Sequence, residues 1–199
     1  MPNPEHFRRE ALPEHGATPP DNPPVPLRLT FAIAIATLIA AGGCSPALDW
    51  REFEPEESGV TLAFPCRPDH HSRSVKVAGA VVRMAMFVCT ADDMTFALAY
   101  LDAAEPAGVL AALADLRKVA IANVGGGDGV FGSLRVQGMT PSDQAARLRL
   151  TGRRPDGGPL HAQAAFFARG LRVYQASVIG RAQADEAADT FFASMKLPS

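Results

Sequence analysis

Neither sign of charge is in excess in this chain. Its 199 residues carry 19 Lys and Arg against 21 Asp and Glu, a net charge of −2, and no polybasic or acidic run interrupts the mixture. Affinity for phosphate backbones needs a strong positive surplus, so a non-specific nucleic-acid binder is excluded. Cysteine is scarce as well. There are three, none in a Cys-x-x-Cys arrangement, which argues against a redox-active motif. No apolar run reaches the ~20 residues of a membrane-spanning helix. What is present, 47% hydrophobic and 20% charged residues, describes one ordinary globular domain.

The longest apolar stretch is Leu29–Ser45, LTFAIAIATLIAAGGCS. Ahead of it, residues 1–26 are polar and rich in proline, a composition that buries too little apolar surface to offset its ordering entropy and predicts disorder. This prelude is long and mixed in charge where a signal peptide normally begins with a short basic head. A translation start near Val25–Leu29 is one reading of it, tested by N-terminal sequencing of the precursor. The hydrophobic region Leu29–Ala41 has the length of a signal-peptide core.

The segment Ala40-Ala41-Gly42-Gly43-Cys44 resembles a bacterial lipobox, with small residues that let the scissile backbone lie extended in a peptidase and a cysteine whose thiol takes diacylglycerol. It departs from the usual pattern at Ala41, where Leu is commonest. The resemblance implies cleavage before Cys44, lipidation of Cys44 and attachment to a membrane, with acyl chains holding by ~0.8 kcal/mol per buried methylene. Ser45 is not the Asp associated with inner-membrane retention, so the implied location is the cell envelope facing the periplasm, at the outer membrane sooner than the inner. The rival reading is an uncleaved anchor helix with a chance cysteine.

Without residues 1–43 the chain keeps 16 Lys and Arg against 17 Asp and Glu, a net charge of −1. Lipid on Cys44 leaves Cys66 and Cys89 as an even pair in an oxidising compartment, where a disulfide is permitted. They are expected at the ends of the first and third strands, which a meander brings together; a bridge there contributes ~3 kcal/mol. The alternative is two buried free thiols acting as small hydrophobes.

Residues 44–58 read as a tether, acidic and interrupted by Pro55, with Trp50 and Phe53 packing on the domain edge. From Gly59 the pattern is mainly strands. Val60, Leu62 and Phe64 alternate up to Pro65. Ser72–Val77 and Val81–Cys89 flank an Ala78-Gly79-Ala80 turn as a hairpin, and Thr95–Leu101 follows an Asp92-Asp93 turn, giving an antiparallel meander. Ala107–Asn123 predicts a helix, with Leu110, Leu113, Ala114, Arg117, Ile121 and Val124 as its stripe, Pro106 at its start and Gly125 past its end. Strands are expected at Val130–Gln137, Ala145–Gly152, His161–Arg169 and Leu171–Ile179. A second helix, Gln183–Met195, buries Ala187, Ala188, Phe191, Phe192 and Met195. The order is that of one α+β domain over 59–199, a largely antiparallel β-sheet flanked by helices.

The run Val60–Pro68, the hairpin after it, the mid-chain helix ending in Ala122-Asn123-Val124-Gly125-Gly126, the strand Arg172-Val173-Tyr174-Gln175 and the terminal Phe191–Leu197 resemble a group of small exported bacterial proteins. These share the α/β/α sandwich of the PsbP-like proteins, named for an extrinsic photosystem II subunit. The resemblance covers about residues 59–197 and lies in order and spacing, not in a catalytic signature. It implies the sandwich fold and binding or assembly roles; function drawn from fold alone is associational.

Residues that could carry chemistry have plain structural readings. Asp69-His70-His71 is the nearest approach to a metal site, but neighbouring side chains in a strand point to opposite faces. His161 is the only other histidine after the leader, and a solvated turn is expected at 69–71. Gly125–Gly129 follows a helix instead of preceding one and lacks the Lys-Ser/Thr ending of a phosphate loop; Asp128 alone is too few ligands for calcium. Ser133 and Ser142 fall in loops without a nucleophile elbow. Arg147, Arg149, Arg153 and Arg154, beside Arg135, form a basic strip that reads as a solvated strand face or, more sharply, a site for an anionic ligand, a lipid headgroup or a protein.

The expectation is therefore a non-enzymatic binding or assembly module of the envelope, with a membrane held through lipid on Cys44 and an envelope protein as possible partner. No catalytic, cofactor or metal residues are assigned. An envelope hydrolase-like enzyme with a scattered site and a purely structural envelope protein are the alternatives.

Overall fold

The computed structural model describes residues 47–125 and 130–198. The leader, the lipobox with Cys44, and Gly126–Gly129 lie outside the described residues. Among those described, no helix is long and apolar enough to cross a membrane.

Strand β1 (Arg51–Phe53) pairs antiparallel with β2 (Leu62–Phe64) in a small two-stranded sheet. The main sheet follows: β3 (Asp69–Val77), β4 (Ala80–Ala91) and β5 (Met94–Asp102), then helix α1 (Pro106–Asn123), β6 (Val130–Gly132), β7 (Ala146–Arg153), β8 (Pro159–Arg169), β9 (Arg172–Gly180) and helix α2 (Asp185–Ala193). Its order is β3-β4-β5-β9-β8-β7-β6, antiparallel throughout. The protein is α+β, an antiparallel sheet with helices on its faces.

Tight turns set the meander. Ala78 and Gly79 both have positive φ (51° and 85°), as do Asp92 and Asp93 (50° and 57°), the backbone that matches the twist of two-residue hairpins. Ala78 tolerates this unfavourable region with outside help, since Asp115 of α1 accepts its N–H at 2.9 Å.

Three expectations are corrected. The segment read as a tether is, from residue 47 on, part of the domain: β1 lies within it, Asp49 N–H donates to the Pro65 carbonyl at 3.1 Å, and Leu48, Trp50 and Phe53 pack against the core. Acidic composition hid a short edge strand whose apolar residues find partners only in the folded state. Next, β2 does not join the meander; its edge is taken by β1 and, at Thr61, by Lys196 through reciprocal backbone bonds of 2.9 and 2.8 Å. The strand expected over Val130–Gln137 ends at Gly132, because the chain then leaves the sheet and Gln137 accepts the Leu197 N–H at 2.9 Å.

Period-2 alternation gives the sheet two apolar faces. One face packs under α2 and the small sheet. Phe191 lies at its centre, 5.3 Å from the Phe64 ring and 5.5 Å from Phe96, while Trp50 meets Phe96 at 5.6 Å and Phe167 stacks on Tyr174 at 4.9 Å. The expected inner side of α2, Ala187, Ala188, Phe191, Phe192 and Met195, is buried there. The other face packs under α1, whose buried stripe is Val109, Ala112, Leu113 and Leu116. The predicted stripe was rotated: Leu110 is 52% exposed, and apolar residues on nearly every side of this helix made its inward side ambiguous. At its end α1 approaches β7 closely. A Cβ on Gly152 would lie 1.8 Å from the Val124 carbonyl oxygen, so only glycine fits.

Candidate functional site

Helix α1 covers only part of its face. It lies over β8 and β9 and reaches β3, and its core cluster takes in Leu148, Leu150, Ala164 and Phe166. Beyond it the sheet is left open. Along β4, Ala85, Phe87 and Cys89 are buried beneath the α2 side, whereas Met84, Met86 and Val88 between them are only half-buried. In β5, Phe96 and Leu98 are wholly buried while Thr95 and Ala97 are not.

The uncovered strip forms an apolar groove of about 430 Å³. Its floor is Val75, Met84, Met86, Val88, Ala97 and Ile179, and its helix wall is Leu116, Val119 and Ala120. Val119 is 45% exposed and Ile179 38%. Methionine is unbranched and adaptable, and alanine adds little relief, so the floor can accommodate an elongated apolar guest. Arg73, Lys76 and Asp115 stand along the β3 side, Asn123, Gln175 and Ser177 elsewhere on the lining.

On the other face a polar cleft of about 330 Å³ is lined by Glu57, His70, Arg83, Tyr100, Asp102 and Arg172 among others. Its central charges are spent on structure. Arg172 grips Asp102 through Nε–Oδ1 at 2.7 Å and Nη2–Oδ2 at 2.8 Å, donates to the Glu57 carbonyl, and lies 4.8 Å over the Tyr100 ring. The Arg172 hydrogen bond holds the Asp102 carboxyl below its ordinary range. Burial pushes Tyr100 up and Tyr174 up to about 12, and the Tyr174 hydroxyl donates to the Ser58 carbonyl at 2.8 Å. This constellation clamps residues 56–58 to the sheet.

Cys66 and Cys89 form a disulfide, Cα–Cα 5.9 Å, but not as ends of a meander: Cys66 follows β2, so the bridge staples the link between small and main sheets onto β4. Asp69, His70 and His71 open β3 instead of forming a turn. His70 stacks on Phe87 at 4.6 Å, and among the described residues no group of three His, Cys, Asp or Glu gathers at metal-holding distance. Ser142 accepts the Gln144 N–H at 3.1 Å, a local turn; Ser133 is exposed, in a loop. His161 lines a small cavity of about 20 Å³ beside Arg149 and Gln163.

The basic strip is not a solvated face at its centre. Arg147 pairs with Asp189 at 2.6 Å, donates to buried Gln163 and lies 4.6 Å over the Phe192 ring, and Arg149 pairs with Asp185 at 3.0 Å. These contacts clasp α2 to β7 and β8. Arg153 and Arg154 tie the β7–β8 turn, to the Gly157 carbonyl and to Asp156. Arg135 is exposed in the loop after β6. The groove itself was missed by residue patterns: the alternation of Met84, Met86 and Val88 is legible, but it reads as core.

No family model and no curated protein matches the chain. Among solved structures it is similar to a crystal structure from Bacteroides thetaiotaomicron VPI-5482, at 6% identity and a TM-score of 0.43, with 75% of this chain and 48% of that one covered. The chain thus spans about half the length of that solved protein. A likeness of this degree carries nothing about ligand or activity.

Proposed function

We propose that the protein is an exported lipoprotein, anchored through Cys44, whose PsbP-like α/β/α domain works as a non-enzymatic binding module of the cell envelope. The observation that carries the binding reading is the partial cover of the sheet by α1, which leaves a continuous apolar groove on that face, whereas the cleft beside Arg172 and Asp102 on the opposite face is polar. Soluble domains seldom leave such strips without a guest. The Cys66–Cys89 bridge supports export, since disulfides persist in oxidising compartments, and it leaves Cys44 as the one cysteine of the chain outside the bridge.

Two measurements test the two halves. Metabolic labelling with an alkyne palmitate is expected to mark the wild type and not Cys44→Ser; persistent labelling of the variant refutes the anchor. Methionine-oxidation footprinting is expected to find Met84 and Met86 protected in intact envelopes and reactive in the purified protein, with buried Met195 as an internal standard. Equal reactivity in both settings would remove the groove as a binding surface.

A further inference from the structure

We infer that the outer edge of β3 accepts an extended, carboxylate-bearing segment of a partner protein, which pairs with it antiparallel as an added strand. The inference rests on the reading of the domain as a binding module and names a class of partner. Its surface is the strand edge, not the groove.

The backbone is set for such an addition. Strand β3 ends the seven-stranded sheet. Val77 and Ala80 flank the two-residue turn and pair with each other, and the register then runs unbroken to Asp69 opposite Val88. Alternate residues of an antiparallel ladder bond the same neighbour, so Val77, Val75, Arg73, His71 and Asp69 turn their N–H and C=O groups to β4. His70, Ser72, Ser74 and Lys76 turn theirs outward. All four are exposed, and among the described residues no backbone bond reaches them. An open edge of this kind is a template for another strand.

Side chains decide which strand fits. The two-fold register that would bond all four outward residues of two copies sets Arg73 against its own counterpart and His70 against Lys76, and like charges directly opposite are unfavourable. Sliding the copies until Asp69 faces Arg73 puts Pro68, which has no N–H, opposite Ser74 and leaves Lys76 past the end. A second copy therefore fits poorly. Neither Arg73 nor Lys76 makes an ion pair among the described residues. Lys76 shares the α2 side with Arg83, which bonds Ser72 Oγ at 2.7 Å and lines the polar cleft with Glu57. On the α1 side Asp115 is engaged at the Ala78 N–H. An antiparallel guest meets Lys76 first, then Arg73, then Asp69. Opposite-charge pairs across strands call for carboxylates at the first two places and a cation at the third, and Val75 calls for an apolar residue after the first.

The test uses the isotope-labelled full chain and two blocked peptides at millimolar concentration. One is Glu-Val-Thr-Glu-Thr-Thr-Thr-Lys; the other exchanges every charge, Lys-Val-Thr-Lys-Thr-Thr-Thr-Glu. The first is expected to slow amide hydrogen exchange at His70, Ser72, Ser74 and Lys76, the alternate amides of the edge. The charge-exchanged peptide is expected to bind about tenfold more weakly, the scale of a few cross-strand pairs. Replacing Arg73→Glu and Lys76→Glu together should reverse that order. N-methylation of the third peptide residue, which faces Ser74, removes a donor without touching charge and should abolish the slowing.

Equal binding of the two peptides overturns the charge selection, and binding that survives N-methylation overturns strand addition. Slow exchange at the four amides without peptide, in a chain that sediments as a dimer, gives the edge to a second copy and overturns the partner. If neither peptide slows exchange the added strand falls, while protection of Met84 and Met86 in envelopes would leave the binding reading standing.

Discussion

Phe96 and Ala97 are neighbours in one strand, yet one is wholly buried and the other is not. The two faces of the sheet differ in how they are closed. On the α2 side, a nine-residue helix, a two-stranded sheet, packed aromatic rings, a disulfide and the arginine clasp cover the strands together. On the α1 side, one helix of 18 residues packs through alanine, valine and leucine and covers only part of the width. A short helix with large side chains and polar ties closes more of a sheet than a long helix with small ones. The incompletely covered face is the one left with a continuous apolar strip in reach of a guest.

The sharpest way to break this contrast is Phe191→Ala. Its ring meets both Phe64 and Phe96, and its loss is expected to cost about 3–5 kcal/mol in denaturant unfolding. Val119→Ala on the open side should stay within about 0.5 kcal/mol. Comparable losses would mean that both faces are packed alike.

Next in size is the disulfide. Replacing Cys66 and Cys89 together by Ala is expected to cost about 3 kcal/mol, and thiol titration of the denatured, unreduced protein should find neither cysteine free. A double variant as stable as its parent would remove the bridge from the list of what closes the α2 face.

Gly152→Ala probes the other side. Forcing a Cβ against the Val124 carbonyl should cost about 1–3 kcal/mol and loosen amide-exchange protection at the end of α1. If the variant unfolds like the wild type, close backbone approach is not what seats that helix.

The smallest effect concerns the clamp. Arg172 holds Asp102 below the ordinary carboxylate value, so the native state gives up this proton at lower pH than the unfolded chain. Its stabilisation is complete above about pH 4 and is lost as pH falls through the folded value. The Asp102 side chain is 58% exposed, which limits the contribution to about 1 kcal/mol or less. Asp102→Asn should flatten the acid limb of stability by that amount, and superimposable limbs would show that the clamp adds nothing.

Much of the fold was legible in local pattern. The hairpin around Ala78-Gly79, the Asp92-Asp93 turn, both helices and the strands near Ala146, Pro159 and Arg172 all follow from turn chemistry and periodicity, which act over a few residues. The Cys66–Cys89 pairing was legible from the cysteine count. Three things were not. Strand β1 carries too few apolar residues to show itself alone. The inward side of α1 could not be told in a helix apolar almost all round. Arg147 and Arg149 alternate as solvent-facing residues do, and only the arrival of Asp185 and Asp189 on α2 turns them into a clasp.

The sequence by itself determined the small-residue box before Cys44, the cysteine arithmetic, the kinds of element and most of their places, because each is written in neighbouring residues. The tertiary structure alone decided that β5 lies against β9, that β2 leaves the main sheet for β1, and that α1 stops short of Met86 and Val88. Alternation says that a strand has two faces; it does not say which distant strand lies beside it or how far a helix on one face extends. Those are long-range choices set by how all the side chains pack at once, and the groove exists only as their consequence.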